Sequence, residues 1–330
     1  MKSFLPLLIM ILGACGQLGA QTDEELQLQE PLVEGNDARF DEFSVAFSSM
    51  LQFEEVTKEI ARQHPELAPE AKKIQDEMAS SAVGKGMQAI VTEMKRRMGR
   101  EFIEFQKNSR EQVRQWGAAE QVDLETAKLG LANAAAMIKG KLPMETLRSV
   151  IAMNPDYQAS PLKEFEDGWI GGYSTKMDEA KREVHFLLRY PGSWKPAPAA
   201  TRAELVSLWN DAGHGKHRMS FQAIHAPDPK YAQMKPVELA GILAAPEAKV
   251  IDRGEVQVAG FPGARMVYKM PLPAGEDGAA VRVISYSTHA KNHFVILNLF
   301  LGEEGKLTNE ELVKKYDPLL AEMASKLEVE

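Results

Sequence analysis

The stretch "VRVISYSTHAKNHFVILNLF", residues 281–300, predicts the architecture of the second half of the chain. Residues 281–287 follow the period of a β-strand. Residues 294–301 are apolar on both faces apart from Asn298, which is typical of a central strand that is covered on both sides. Residues 287–293 join the two segments and predict a hairpin turn. The second half should therefore contain a sheet in which residues 294–301 form a central strand.

Further strands and helices are predicted on both sides of this hairpin. Alternating or short apolar runs predict five more strands, at residues 185–190, 205–209, 219–225, 254–258 and 264–270. Residues 237–245 read as a helix. Near the C-terminus, Thr308 and Glu311 have the spacing of a helix capping box. Asp317 and Pro318 fit the N-cap and first position of a separate final helix.

The first half has a helical period. Residues 39–155 contain apolar stripes at helical spacing, and the first helix carries two stripes on opposite sides, which predicts that it packs between neighbouring helices. His64-Pro65 should end this helix because the residue before proline avoids the helical region. Gly84-Lys85-Gly86 predicts a kink or a short turn. Four or five helices without a strong strand signal indicate a helical bundle. The best domain boundary is at residues 154–161.

Three segments of the second half resemble the PsbP-like fold. They are "HFLLRYPGSWK" (185–195), "GEVQVAGFPGARMVYKM" (254–270) and the hairpin followed by the closing helix. This fold is shared by the photosystem II extrinsic subunit, Ran-binding Mog-type proteins and many bacterial lipoproteins. The resemblance implies an α/β/α sandwich around a curved, mostly antiparallel sheet, and members that are mostly non-enzymatic binding or assembly proteins. The fold class predicted for the whole chain is therefore α+β, with a helical bundle before the sandwich.

The N-terminus has the layout of a secretory signal. Lys2 is followed by nine uncharged residues, "FLPLLIMIL" (4–12), a run too short to span a membrane as a helix. The next residues complete Leu12-Gly13-Ala14-Cys15, which resembles the bacterial lipobox. We therefore expect a signal peptide over residues 1–14, lipid attachment at Cys15 and a flexible tether over residues 15–38. Gly16 follows the cysteine, which in enterobacteria would imply the outer membrane.

Two alternatives to lipidation remain open from the sequence. The signal could be cleaved in the ordinary way after Leu18-Gly19-Ala20, or it could be retained. Cys15 is the only cysteine of the 330 residues, so it forms no intramolecular disulfide and no zinc site built on cysteines. The formal net charge of −8, with no basic half, argues against non-specific binding of nucleic acid.

No catalytic, cofactor or metal residues are predicted. His214 and His217, and His289 and His293, are closely spaced, but the His-Glu-x-x-His zinc motif is absent and surface positions are expected. Ser193 lies in a turn-like segment without the Gly-x-Ser-x-Gly elbow of serine hydrolases. No glycine pattern completes a dinucleotide or phosphate-binding loop.

A single basic cluster stands out against the acidic composition, with Glu93, Glu101 and Glu104 around it. Ion pairing on a solvated helix face is the default interpretation, and contact with anionic lipid or an acidic partner is the alternative. The cluster consists of Lys95, Arg96, Arg97 and Arg100. Two apolar sets are predicted to be core. The first is Tyr190, Trp194 and Trp209, which could alternatively line a pocket. The second is the stripe Met87, Met94 and Met98, which could alternatively form an adaptable partner surface.

These patterns predict a lipid-anchored extracytoplasmic binding or assembly module without catalytic activity. It would face the periplasm or cell exterior, be held at the membrane by its N-terminal lipid, and act on another envelope protein. Its domains would be the helical region 39–155 and the PsbP-like region 160–330. The alternative is a carrier or chaperone for a hydrophobic ligand held between the sheet and its helices, and an enzyme is favoured less. A carrier needs a deep apolar pocket, whereas an assembly module needs exposed apolar surface.

Overall fold

The computed structural model describes residues 38–117, 121–177, 183–199, 201–244, 246–271 and 280–330. The predicted signal peptide, Cys15 and the tether up to residue 37 lie outside this set. The chain divides between Gln158 and Ala159 into two compact units, and each is described by itself. Within the described ranges, no helix combines the length and the apolar character that crossing a membrane requires.

The N-terminal unit is built from helices. Its elements are α1 (Ala38–Gln63), a 3-10 turn (Pro65–Leu67), α2 (Ala68–Ser80), α3 (Ala82–Met98), α4 (Glu101–Gly117), α5 (Leu124–Ile138) and α6 (Met144–Ala152). A short helix, α7 (Pro155–Ala159), contains the division between the units. As predicted, α1 ends at the residue before His64-Pro65.

Helix α1 is the centre of this bundle. Phe43 and Phe47 on one side of the helix, and Phe53 and Ile60 on the roughly opposite side, are all buried. With apolar side chains on both sides, α1 contacts each of the helices α2 to α6. This confirms the prediction that a helix with two apolar stripes packs between its neighbours.

The predicted kink at Gly84-Lys85-Gly86 is wrong. The break lies earlier, at Ser81, whose side chain accepts a hydrogen bond from the backbone of Gly84 as the N-cap of α3. The glycines lie inside α3, where a Cβ on Gly86 would be 1.9 Å from the backbone oxygen of Val150 in α6. They therefore permit close packing of backbones and do not interrupt the helix.

The C-terminal unit contains two antiparallel sheets and four helices among its described residues. The elements are α8 (Pro161–Glu166), β1 (Ile170–Ser174), β2 (Phe186–Pro191), β3 (Lys195–Ala197), β4 (Glu204–Trp209), β5 (Arg218–His225), α9 (Lys230–Gln233), α10 (Pro236–Leu243), β6 (Lys249–Val258), β7 (Phe261–Pro271), β8 (Ala280–Ala290), β9 (His293–Leu301), α11 (Asn309–Ser325) and β10 (Glu328–Val329). The main sheet has the order β3-β4-β5-β9-β8-β7-β6, and the small sheet has the order β1-β2-β10.

Strand β9 is the fourth of the seven strands, so the apolar run at 294–301 is central as predicted. Val295, Leu297 and Leu299 point into a core shared with α11, α8 and the small sheet. Phe294 and Ile296 point to the opposite face and pack with α10. Both faces of the main sheet thus carry helices. The predicted α+β class, a helical bundle followed by an α/β/α sandwich, is confirmed.

The β8–β9 hairpin turns over Lys291 and Asn292, whose φ angles are 46° and 59°. Positive φ at both central residues defines the two-residue turn that suits the twist of antiparallel strands. The strands reach closer to the turn than predicted. Ser287 and Thr288 are polar but buried within the sheet, which hides the strand pattern in the sequence.

Helix α11 starts with the predicted capping box, in which Thr308 and Glu311 exchange side-chain and backbone hydrogen bonds. The predicted second helix start at Asp317-Pro318 is wrong, because α11 continues through Pro318 to Ser325. Asp317 instead accepts hydrogen bonds from Arg265 on β7 and from the hydroxyl of Tyr286 on β8. These contacts and the apolar face of α11 hold together a helix that the proline would otherwise weaken.

Candidate functional site

The most accessible long element of the C-terminal unit is the edge strand β6. It has ten residues and pairs on one side, with β7. The opposite edge strand, β3, has only three residues and contains Pro196. All residues of β6 from Lys249 to Arg253 are exposed. The backbone along the outer side of β6 therefore faces away from the sheet with no strand beside it in the described part of the chain.

Large apolar side chains are exposed at this edge. Val250 and Ile251 on β6 are 42% and 47% exposed. Helix α10 contacts β6, β7 and β8, and buries Leu239 and Ala240 while leaving Ile242 57% exposed. The edge formed by β6 and the neighbouring helix α10 thus combines unpaired backbone groups with exposed apolar side chains.

A β-bulge divides β6 into two parts. Val250 pairs with Tyr268 and Asp252 pairs with Val267, so Ile251 is an extra residue without a partner on β7. From Asp252 to Val258 the pairing is regular. Bulges increase twist and end regular pairing, and they are one of the devices that protect sheet edges. The first part of β6 is therefore partly protected by the bulge, whereas the second part contains no bulge.

The charged groups of the regular part differ in their pairing. Asp252 accepts a hydrogen bond from Arg265 at 2.6 Å, and this bond lowers the pKa of the Asp252 carboxyl. Arg253 and Glu255 lie two residues apart, opposite Met266 and Ala264 on the face that carries α10. Within the described ranges, neither of these two side chains forms an ion pair. They are therefore available to an external partner.

A second cluster of charged groups lies where β5 begins and β9 ends. The backbone N–H of Gly302 donates to Nδ1 of His217, so the ring proton is on Nε2, which donates to Glu304 at 3.0 Å. Lys315 and the hydroxyl of Tyr316 also donate to Glu304. Burial raises the pKa of the Glu304 carboxyl, but the bonds from His217 and Lys315 outweigh it and lower the pKa to about 2. Burial raises the pKa of Tyr316.

The loop beside this cluster has an unusual backbone. Asp211, Ala212 and Gly213 all have positive φ, at 53°, 56° and 95°. The left-handed region costs a non-glycine residue roughly 1–2 kcal/mol. The loop is held by hydrogen bonds from the Ala212 N–H to the Ser193 carbonyl and from the His217 N–H to the Asn210 side chain. These bonds connect the loop to the β2–β3 turn and to His217 of the charged cluster.

Glu164 and Ser193 form a buried pair next to this loop. Both are 3% exposed. The backbone N–H and the hydroxyl of Ser193 each donate to the Glu164 carboxylate at 2.7 Å. Burial raises the pKa of Glu164 to about 7, although both hydrogen bonds from Ser193 lower it. Ser193 thus donates its proton to an inaccessible carboxyl, and the pair joins α8 to the β2–β3 turn.

The predicted basic cluster lies at the C-terminal end of α3 and in the turn after it. Arg96 and Arg97 both donate to Glu93, at 2.8 Å, and these bonds contribute to lowering the pKa of Glu93 to about 2. The ammonium group of Lys95 lies 5.7 Å from the centre of the Phe102 ring. In the described structure, Glu101 and Glu104 form no ion pair. The ion pairing on the helix, which is the default interpretation of the cluster, is therefore formed by Arg96 and Arg97 with Glu93.

The structure separates both pairs of closely spaced histidines. His214 is exposed, whereas His217 is buried against Glu304, contrary to its expected surface position. His289 bonds to the Ala226 carbonyl on the α10 side, and His293 packs against Phe186 on the other face of the sheet. Among the residues that the structure describes, no three His, Cys, Asp or Glu side chains are placed to share a metal ion.

The aromatic and methionine sets are mainly core, as predicted. Tyr190 and Trp194 are buried and belong to the core beneath α11. Trp209 is half-buried. Met87 and Met94 are buried in the N-terminal unit, while Met98 is half-buried.

No sequence pattern predicted the sites that involve Glu164, Glu304 and the outer edge of β6. Glu164 lies in the short helix α8 between Pro161 and Phe165, which are buried with it. Glu304 and His217 are 87 residues apart, and their contact depends on the strand order. Cys15, the predicted lipid attachment site, lies outside the described residues.

Comparisons with known proteins find similarity to solved structures over about half of the chain. No protein-family model and no curated protein matches the sequence. Cyanobacterial PsbP (CyanoP) from Synechocystis is 13% identical over 49% of this chain and 92% of its own, with a TM-score of 0.33. LpqN of Mycobacterium tuberculosis, described as involved in cell envelope biogenesis, is 14% identical over 52% of this chain and 96% of its own, with a TM-score of 0.32.

A protein of unknown function from Pseudomonas aeruginosa is 14% identical over 48% of this chain and 96% of its own, with a TM-score of 0.27. At such identities these likenesses concern the fold alone. They cover about half of the chain and include PsbP, the family that the sequence segments resemble. The layers that the resemblance implies, helices on both faces of an antiparallel sheet, are present in the structure itself.

Proposed function

We propose that the protein is an exported, lipid-anchored binding or assembly module that recruits a partner strand to the open edge of β6. The observation that carries this proposal is the long edge strand β6, whose regular part from Asp252 to Val258 has no strand on its outer side in the described structure. The exposed Val250 and Ile251 beside it provide the apolar surface that an assembly module requires.

The physical basis is strand addition. An edge strand presents unpaired backbone N–H and C=O groups, and an extended segment that pairs with them satisfies these groups while its alternate side chains contact the sheet surface. Natural proteins usually protect such edges by shortness, proline, charge or a bulge. Edge strand β3 is protected by its three residues and Pro196, whereas the part of β6 beyond its bulge has no such protection except charge.

The anchor is supported by the segment that ends in Leu12-Gly13-Ala14-Cys15. A lipid on Cys15 would hold the protein at the membrane, since each buried methylene contributes about 0.8 kcal/mol. Cys15→Ala should therefore abolish incorporation of labelled palmitate and move the protein out of the membrane fraction. A wild-type protein that takes up no label would show that the anchor is absent, without affecting the proposal for β6.

The binding edge is tested by placing a photo-reactive amino acid at Val250 in cells. The matched control is the same substitution at Leu129 of the N-terminal unit, which is 53% exposed. Irradiation should yield a defined adduct at position 250 but not at position 129, and Ile251→Lys should reduce it. Equal labelling at both positions, or none at 250, would contradict strand recruitment at β6.

A further inference from the structure

We infer that the strand recruited by β6 is β6 of a second copy of this chain, paired antiparallel about a two-fold axis at Gly254. This inference rests on the proposed docking edge and specifies its occupant. It is carried by the alternation of side chains, the charges of the regular part of β6 and the position of the bulge.

Symmetry first restricts the register. A two-fold axis perpendicular to the sheet relates two antiparallel edge strands, and residues opposite each other point to the same face. Neighbouring residues of a strand point to opposite faces, so a residue cannot lie opposite the copy of its neighbour. The axis must therefore pass where one residue lies opposite the same residue of the other copy. Each candidate register is therefore named by a single residue of β6.

The charges then select among these registers. An axis at Asp252, Arg253 or Glu255 places a charged side chain opposite its own copy, and like charges in direct opposition destabilise a strand pair. An axis at Val256 brings no opposite charges together. An axis at Gly254 places Arg253 of each copy opposite Glu255 of the other, which creates two ion pairs on the α10 face.

The availability of these groups supports the same register. Arg253 and Glu255 form no ion pair within the described ranges, whereas Asp252 is already bonded to Arg265. Gly254 has no side chain, so in this register no side chain of one copy lies opposite its own counterpart at the axis. The regular pairing would extend from Asp252 to Val256 on each strand.

The bulge sets the ends of this contact. Ile251 interrupts the regular part directly before Asp252, so the side chains of Val250 and Asp252 face opposite sides of the sheet although they are two residues apart. If the pairing continued past Asp252, Val250 of one copy would lie opposite Val258 of the other, and their side chains point to opposite faces of the sheet. The contact is therefore a short, central one, and it depends strongly on its two ion pairs.

Sedimentation velocity on the full chain with Cys15→Ala tests the inference, because lipid-driven association is then absent. The protein should form a dimer that weakens as salt rises, since exposed ion pairs are screened. Arg253→Glu replaces both ion pairs by contacts between two carboxylates, and Glu255→Arg replaces both by contacts between two guanidinium groups. Each variant alone should dimerise on the order of tenfold more weakly.

The two single variants provide a sharp internal control. Mixed together, they should form a heterodimer, because the two carboxylates of the Arg253→Glu variant then lie opposite the two guanidinium groups of the Glu255→Arg variant. The double variant, Arg253→Glu with Glu255→Arg, should dimerise with itself like the parent protein. These two rescues also exclude misfolding as the cause of the single-variant effects.

Three results would overturn the inference: a parent protein that stays monomeric, single variants that dimerise like the parent, or a mixture without heterodimer. The photo-reactive residue at position 250 separates this failure from that of the proposed function. An adduct with a different protein would leave the docking edge intact and reject the second copy as its occupant. Absence of any adduct, together with a monomeric parent, would reject both.

Discussion

Replacing Glu164 by Gln should abolish a loss of folding stability that the C-terminal unit undergoes as pH rises. The ordinary pKa of a glutamate, 4.5, applies to the unfolded chain, whereas burial raises the pKa of Glu164 to about 7 in the folded protein. Between these values the folded state binds more protons than the unfolded state, so stability falls as pH rises through this window. The difference between the two pKa values corresponds to a loss of about 3 kcal/mol in the free energy of unfolding, at about 1.36 kcal/mol for each pKa unit.

The glutamine would keep the shape of the side chain and an oxygen that accepts the Ser193 N–H, but it would never ionise. The variant should match the wild type near pH 4 and exceed its stability by up to about 3 kcal/mol at pH 8. Urea unfolding followed by tryptophan fluorescence measures the difference. Three of the four tryptophans, Trp169, Trp194 and Trp209, lie in this unit.

Two further variants make the test specific. Ser193→Ala removes a hydrogen bond that lowers the pKa of Glu164, so it should enlarge the loss of stability above neutral pH. Glu303→Gln removes a carboxylate whose side chain is 92% exposed and measures the effect of one surface charge. If Glu164→Gln and the wild type give parallel stability curves from pH 4 to pH 8, the folded protein ionises Glu164 at its ordinary pKa and the reasoning from burial is refuted.

Three other predictions concern packing and charge. Gly86→Ala should destabilise the N-terminal unit by about 1–3 kcal/mol in thermal unfolding, because its Cβ would overlap the Val150 carbonyl; Gly241→Ala in α10, which meets no atom, is the matched control and should not destabilise. Asp317→Asn should cost about 1–3 kcal/mol in urea unfolding, because it weakens the bonds from Arg265 and Tyr286, and an unchanged midpoint would contradict this. Replacing all four residues of the basic cluster by Gln should cost less than about 2 kcal/mol, since exposed pairs contribute little, and should leave liposome co-sedimentation unchanged. Salt-sensitive liposome binding that the Gln variant loses would contradict this last prediction.

The sequence predicted the centre of the fold well because burial there leaves a strong pattern. Residues 294–301 are apolar on both faces, and the strand lies in the middle of the sheet with helices on both sides. The two apolar stripes of α1 likewise predicted a helix that is surrounded by others. In both cases one short stretch carries the information about its own environment.

Local rules failed where distant contacts override them. Glycine usually weakens a helix, yet Gly86 lies in α3 because the backbone of α6 passes too close for a side chain. Proline usually starts or ends a helix, yet Pro318 lies within α11, whose Asp317 is bonded to two strands of the sheet. These contacts involve partners far away in sequence, and no periodicity shows them.

The candidate edge was difficult to predict for a different reason. The sequence pattern predicts only residues 254–258 of β6 as a strand, because Lys249 to Arg253 are all exposed and show no alternation between a buried and an open face. The position of β6 at the edge also depends on the strand order, which brings β9 between β5 and β8. An edge is a property of the whole sheet, and no single segment encodes it.

The division of β6 explains how one strand could be open to a partner without being open to every strand. Lys249 and the bulge at Ile251 disfavour continuous pairing along the first part, which limits an added strand to a few residues. Within that short length, backbone hydrogen bonds are the same for any sequence, so the choice of partner depends on side-chain charge. Arg253 and Glu255 on either side of Gly254 disfavour registers that oppose like charges. A suitable antiparallel partner places an acidic side chain opposite Arg253 and a basic side chain opposite Glu255. In the register centred on Gly254, β6 of a second copy does so.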